Sequence, residues 1–210
     1  MSHITSPLRI GALLFDGFEL LDVFGPLEMF GLLGTRAKIS MLAEKTGVVA
    51  SSSGPQCVAD STLKEATMQD LDVLLIPGGI GTRHEINNVA LLEQLHKACA
   101  NARFVASVCT GSALLAKTGI LDGKRATTNK RAYHWVVAQS TMVNWVPEAR
   151  WVVDGKFFTS SGVSAGMDMA LALIGRLCGK ETAHVVAQQA EYEWHYDPAW
   201  DPFAKINGLA

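Results

Sequence analysis

The chain has 210 residues, 49% hydrophobic and 18% charged, and its 18 Lys and Arg against 20 Asp and Glu give a net charge of −2. That balance suits one folded domain with a sizeable core, excludes a disordered chain, and leaves no basic excess for a nucleic-acid partner. Apolar runs such as 73–76 and 170–174 are too short to cross a bilayer, the start has no signal-like pattern, and the four cysteines (57, 99, 109 and 178) form no CxxC, so a cytoplasmic protein with reduced thiols and no membrane partner is expected.

Residues 1–7 are expected to be disordered or extended. Residues 8–15 are an apolar run closed by Asp16-Gly17 and read as a buried strand. Leu20, Val23, Leu27 and Phe30 recur at helical spacing over 19–33. Gly25-Pro26 nevertheless predicts a turn at 22–26 and a helix starting at Pro26, since proline lacks an amide and crowds the preceding turn. Residues 38–43 alternate as a strand, and 48–50 and 56–59 flank Ser51-Ser52-Ser53-Gly54-Pro55 as two small strands. Residues 71–76 form a continuous apolar strand ended by Pro77-Gly78-Gly79. A helix follows over 88–100 with Val89, Leu92, Leu95 and Cys99 on one stripe, then a strand at 104–108 and a helix at 111–118. After a turn at Asp122-Gly123, residues 132–138 read as helix and 151–158 as a hairpin around Asp154-Gly155. Two more helices are predicted over 163–178 and 182–194, and the tail 196–210 has no clear periodicity. Apolar strands alternating with helices predict one α/β domain over 8–195, its sheet mostly parallel and covered on both faces.

In such sheets ligands bind beyond the carboxyl ends of the strands. Three segments deliver unusual residues there: 16–26, 77–81 and 109–112. Phe104-Val105-Ala106-Ser107-Val108-Cys109 runs straight into Thr110-Gly111-Ser112-Ala113, leaving no loop between strand and helix. Cys109 must then occupy a tight turn, a nucleophile elbow with sulfur in place of a serine oxygen. Its place at a helix N-terminus predicts a lowered thiol pKa; the competing reading is a buried cysteine acting as a small hydrophobe. Pro77-Gly78-Gly79 could bring backbone amides close to a ligand, and the amides of Gly79 and Thr110 could form an oxyanion hole. Asp22, between Leu21 and Val23, reads either as a carboxyl facing the thiol or as a helix cap. The six histidines (3, 84, 96, 134, 184 and 195) offer no base beside Cys109, and neither HxH nor HExxH occurs, so no metal site is expected.

Taken in order, the segments Leu20-Leu21-Asp22-Val23-Phe24-Gly25-Pro26-Leu27-Glu28, Ile76-Pro77-Gly78-Gly79, Ser107-Val108-Cys109-Thr110-Gly111, Leu121-Asp122-Gly123-Lys124-Arg125-Ala126-Thr127-Thr128 and Gly162-Val163-Ser164-Ala165-Gly166-Met167-Asp168 resemble the DJ-1/PfpI superfamily, in particular its isocyanide hydratase branch. The resemblance implies a flavodoxin-like three-layer sandwich, a homodimer, and the elbow cysteine as nucleophile without any cofactor. It implies hydration of an isocyanide to an N-substituted formamide: Cys109 attacks the terminal carbon to give a thioimidate, Asp22 carries the proton, and Gly78, Gly79 and Thr110 position the intermediate. Thr110 stands where protease-like members have histidine, so peptidase activity is not expected. Two positions depart from the branch: Asn129-Lys130 follows Thr127-Thr128 where hydratases often place histidine, and Phe24 replaces a smaller polar residue. Cofactor-free glyoxalase or deglycase chemistry and cysteine-based redox sensing are the alternatives. Regulators of the AraC type share the Asp22 pattern but continue into a helix-turn-helix segment that these 210 residues lack, which makes a sensor the weaker expectation.

Overall fold

The structure, a computed structural model, describes residues 6–68 and 70–210, so the expectations for residues 1–5, His3 among them, lie outside the described residues. Leu8–Leu13 (β1) is buried along its length except at Arg9. The other strands are Ala37–Ala43 (β2), Gly47–Ala50 (β3), Gln56–Ala59 (β4), Ser61–Thr62 (β5), Val73–Ile76 (β6), Phe104–Ser107 (β7), Arg125–Ala126 (β8), Asn144–Trp145 (β9), Trp151–Asp154 (β10) and Phe157–Ser160 (β11). The helices are Leu20–Gly31 (α1), Leu63–Ala66 (α2), Thr82–Glu85 (α3), Val89–Asn101 (α4), Gly111–Lys117 (α5), Tyr133–Val137 (α6), Ala165–Cys178 (α7), Lys180–Gln189 (α8) and Pro202–Ile206 (α9).

Seven strands form one sheet in the order β10-β11-β7-β6-β1-β2-β5. Every pairing in it is parallel except the β10–β11 hairpin. Helices α1, α7 and α8 pack together, while α4 and α5 pack with α2, α3 and α6. The expected α/β architecture, a mostly parallel sheet flanked by helices, is what forms. Its core is aliphatic: Val73, Leu74, Leu75 and Ile76 are all inaccessible, as a central strand covered on both sides requires.

Register decides where chemistry can sit. Ile76 pairs with Ser107, and Ala12 pairs with Leu75. Strands β1, β6 and β7 therefore end at one level, and the segments that leave them converge at one edge of the sheet.

Two expectations change. Helix α1 starts at Leu20 and runs through Pro26, without a break at Gly25-Pro26. Tertiary packing overrides the local penalty: a Cβ on Gly25 would lie 2.9 Å from Met167 Cγ, and Pro26 Cγ lies close to the Gly166 backbone on α7. The tail, which has no clear periodicity in the sequence, contains the short helix α9. Arg150 N–H donates to Pro198 O, and Asp201 Oδ1 caps α9 through Phe203 N–H at 3.0 Å, with Pro202 in the first turn.

Candidate active site

The turn after β7 is built around a left-handed cysteine. Cys109 has φ +57°, a conformation that costs an L-residue about 1–2 kcal/mol. The surroundings over-determine it. Its N–H donates to Ser161 O (3.0 Å), its carbonyl accepts from Thr128 Oγ1 (2.9 Å) and Ser112 Oγ (3.3 Å), and Val108 N–H donates to Ile76 O (3.0 Å). Gly111 opens α5 because any side chain there would drive its Cβ into the carbonyl oxygens of Ile76 and Pro77. The elbow is thus the strained strand-to-helix turn that the missing loop predicted.

Donors converge on the sulfur. Asn129 Nδ2 donates to Cys109 Sγ at 3.1 Å. Its orientation is fixed, since its Oδ1 accepts Ala132 N–H at 2.8 Å. Room for that amide comes from Gly162, whose Cβ would lie 2.6 Å from Asn129 Nδ2. The backbone amides of Thr110 and Val163 also favour the thiolate. Val163 has φ +46°, so Cys109 and a residue whose amide favours its thiolate are two of the three left-handed non-glycine residues among those described. Against these donors, burial and the charge of Asp22 push the thiol up, and burial is the larger cause. The lowered pKa expected from the helix N-terminus is therefore not found. Helix α5 has only seven residues, and removing the anion from water outweighs the amides of Thr110, Asn129 and Val163 that favour it.

Asp22 lies in the first turn of α1, wholly buried. It does not cap the helix. Its Oδ2 accepts the amide of Gly78 across the loop at 2.8 Å, and its Oδ1 meets no donor among the described residues. Burial raises its pKa from 3.8 to about 7; the Gly78 amide opposes the rise, nearby Glu19 adds to it, and the Cys109 thiol lowers it. Acid and thiol thus bias each other's ionisation.

Gly78 and Gly79 do bring backbone close, but in another role from the one expected. A Cβ on Gly78 would sit 2.5 Å from Thr110 N, 2.6 Å from Thr110 Oγ1 and 2.9 Å from Asp22 Oδ2. The Gly79 amide, expected to serve an oxyanion hole, donates instead to Thr110 Oγ1 (3.1 Å), which also lies 3.1 Å from Thr82 Oγ1. With the Gly78 amide held by Asp22, the two glycines fix the acid and Thr110, and the Thr110 amide faces the sulfur.

A cleft of about 480 Å³ opens over Cys109 and Thr110, the size of a small-molecule site. Ile80, Trp135 and Val163 give it apolar walls, and Glu19, Arg83, Arg131 and His134 supply its ionisable groups. Among the described residues no cluster of His, Cys, Asp or Glu could hold a metal ion. Sequence reasoning missed Val163, whose role rests on a backbone angle, and left Asn129 unassigned. The Thr-Thr-Asn run and the Ser-Gly-Val run were visible, but only the pairing of β11 with β7 brings residues 161–163 beside Cys109.

Residues 8–176 match the DJ-1/PfpI family. The chain is 37% identical over 185 residues to the isonitrile hydratase of Pseudomonas putida, a span of 88% of this chain and 78% of that protein. It is 31% identical over 199 residues to the HTH-type transcriptional regulator GbdR of Pseudomonas aeruginosa, covering 90% of this chain but 52% of the regulator. A crystal structure of a THiJ/PfpI family protein from Pseudomonas syringae superposes with a TM-score of 0.80 at 30% identity, covering 90% of this chain and 77% of that one.

Proposed function

The chain belongs to the DJ-1/PfpI family, and from that premise we propose that it hydrates isocyanides to N-substituted formamides through a covalent bond to Cys109. The observation that carries this reading is the pairing of the Cys109 thiol, at the base of the cleft, with a buried carboxyl that titrates near neutrality.

The steps follow from the groups present. Asp22 carboxylate takes the thiol proton as Sγ forms a bond to the terminal carbon of R–N≡C, and it returns that proton to the same carbon. The product is the thioimidate R–N=CH–S–Cys109. Water then adds across C=N, its hydroxyl to carbon and its proton to nitrogen, with Asp22 relaying the proton. Collapse of that adduct forms the carbonyl, breaks the C–S bond and returns the proton to the Asp22–Cys109 pair, releasing R–NH–CHO. One isocyanide and one water give one formamide, with no redox change. Asn129 and the amides of Thr110 and Val163 stabilise sulfur as it leaves.

Formamide production across alkyl and aryl isocyanides, followed by mass spectrometry, tests the reading; Cys109→Ala should give none. Methylglyoxal consumption without formamide would move the assignment to glyoxalase-type chemistry. Selective oxidation of Cys109 by mild peroxide, with no turnover of either substrate class, would move the assignment to redox sensing.

A further inference from the structure

Two cations in the cleft have no anionic partner among the described residues. Arg83 and Arg131 both line it, and among the described residues neither guanidinium forms an ion pair or a hydrogen bond. Arg103 and Arg150, by contrast, each hold an aspartate. The Arg83 guanidinium lies over the Trp135 ring, 4.3 Å from its centroid. That contact holds the guanidinium on the ring face, while none of its N–H groups is taken by another residue. The chain carries a net charge of −2, so two unpaired guanidinium groups in one cleft run against its overall charge. His134 lines the same cleft, and the one acid among its lining residues, Glu19, accepts from Ser52 Oγ at 3.1 Å.

We propose, resting on the hydratase reading, that the preferred isocyanide bears a carboxylate, with Arg83 and Arg131 holding that group while the isocyanide carbon reaches Cys109. A neutral tail would leave both cations unused. A planar carboxylate matches the paired N–H donors of a guanidinium, and the apolar surface of Ile80 and Val163 accommodates the chain between the two ends.

Alkylation of Cys109 tests the anion subsite independently of turnover. Iodoacetate and iodoacetamide differ in one negative charge, and mass spectrometry of the modified peptides gives their rate ratio at each cysteine, with the half-buried Cys57 as internal reference. Each of Arg83→Gln and Arg131→Gln should lower the iodoacetate-to-iodoacetamide ratio at Cys109 by about threefold to tenfold. Arg83→Lys should keep most of it, and the ratio at Cys57 should stay constant. An equal ratio at Cys109 in the parent and the double Gln variant overturns the proposal. In the second arm, the KM of a carboxylate-bearing isocyanide should rise in the Gln variants relative to that of its methyl ester. Arginine-dependent alkylation without formamide from any isocyanide would remove the hydratase reading and keep the anion subsite. Formamide production with an arginine-independent ratio would do the reverse.

Discussion

Asp22 spends stability on chemistry. A carboxyl with no exposed surface and one oxygen that meets no donor among the described residues is costly to ionise, which is why its pKa stands near 7. Because the folded value lies above the ordinary 3.8, the folded chain binds the proton more tightly than the unfolded one. The penalty is absent below about pH 4, grows as pH rises, and is complete above about pH 7. Asp22→Asn should therefore be more stable than the parent at pH 8, by about 2–4 kcal/mol, with the gain shrinking as pH falls from 7 towards 4. Urea melts across that range check it; a constant difference would mean that Asp22 is not ionised at the cost described. Asn129 donates to the Cys109 sulfur. Removing its donor with Asn129→Ala should lower kcat by about tenfold to a hundredfold, the worth of one hydrogen bond to a charged atom.

At the level of elements, the site is three strand ends brought level by parallel register, and this part was legible in the sequence. Residues 104–108 pass into 111–118 without a loop, and that alone placed Cys109 in a strained turn. Pro77-Gly78-Gly79 was legible as the neighbour of Cys109 because it ends an apolar strand, whereas the sequence left Asp22 open between a carboxyl facing the thiol and a helix cap. What no local pattern carried was the use of the amides. Gly78 serves Asp22 and Gly79 serves Thr110 because α1 and α5 are packed against the same loop. Nor could local propensity foresee that α1 passes through Pro26, since α7 supplies the packing that holds it. The tail helix did carry a signal, Asp201-Pro202, a cap followed by a first-turn proline. The role of Gly78 is open to measurement. Gly78→Ala forces a Cβ towards Thr110 N and Asp22, so it should cost about 1–3 kcal/mol of stability and abolish turnover; a fully active, unperturbed Gly78→Ala variant would contradict the close approach.

Across the whole molecule, a second buried aspartate ties the carboxyl-terminal segment to the domain. Asp168 on α7 pairs with Arg150 Nη2 (2.6 Å) and accepts from Tyr192 OH and His195 N–H, both at 3.0 Å, while its carbonyl accepts from Trp194 Nε1 (3.2 Å). Beside this cluster, Lys130 is held well below its usual range, at about 8, by burial, and it follows Asn129 of the active site directly in sequence. Asp168→Asn leaves Arg150 without its counter-charge, so it should cost about 3–5 kcal/mol. Limited proteolysis should then cut the segment after residue 190 faster than in the parent. Equal cleavage rates would mean that the other contacts of the segment, such as Arg150 N–H to Pro198 O, hold it without Asp168.

The most direct test of the account is rapid-quench intact-protein mass spectrometry of the chain mixed with an alkyl isocyanide. A transient mass increase equal to one isocyanide, mapped to Cys109 and decaying as N-formamide accumulates, is the predicted result. Formamide produced at the parent rate by Cys109→Ala, or turnover with no adduct on Cys109, would contradict it.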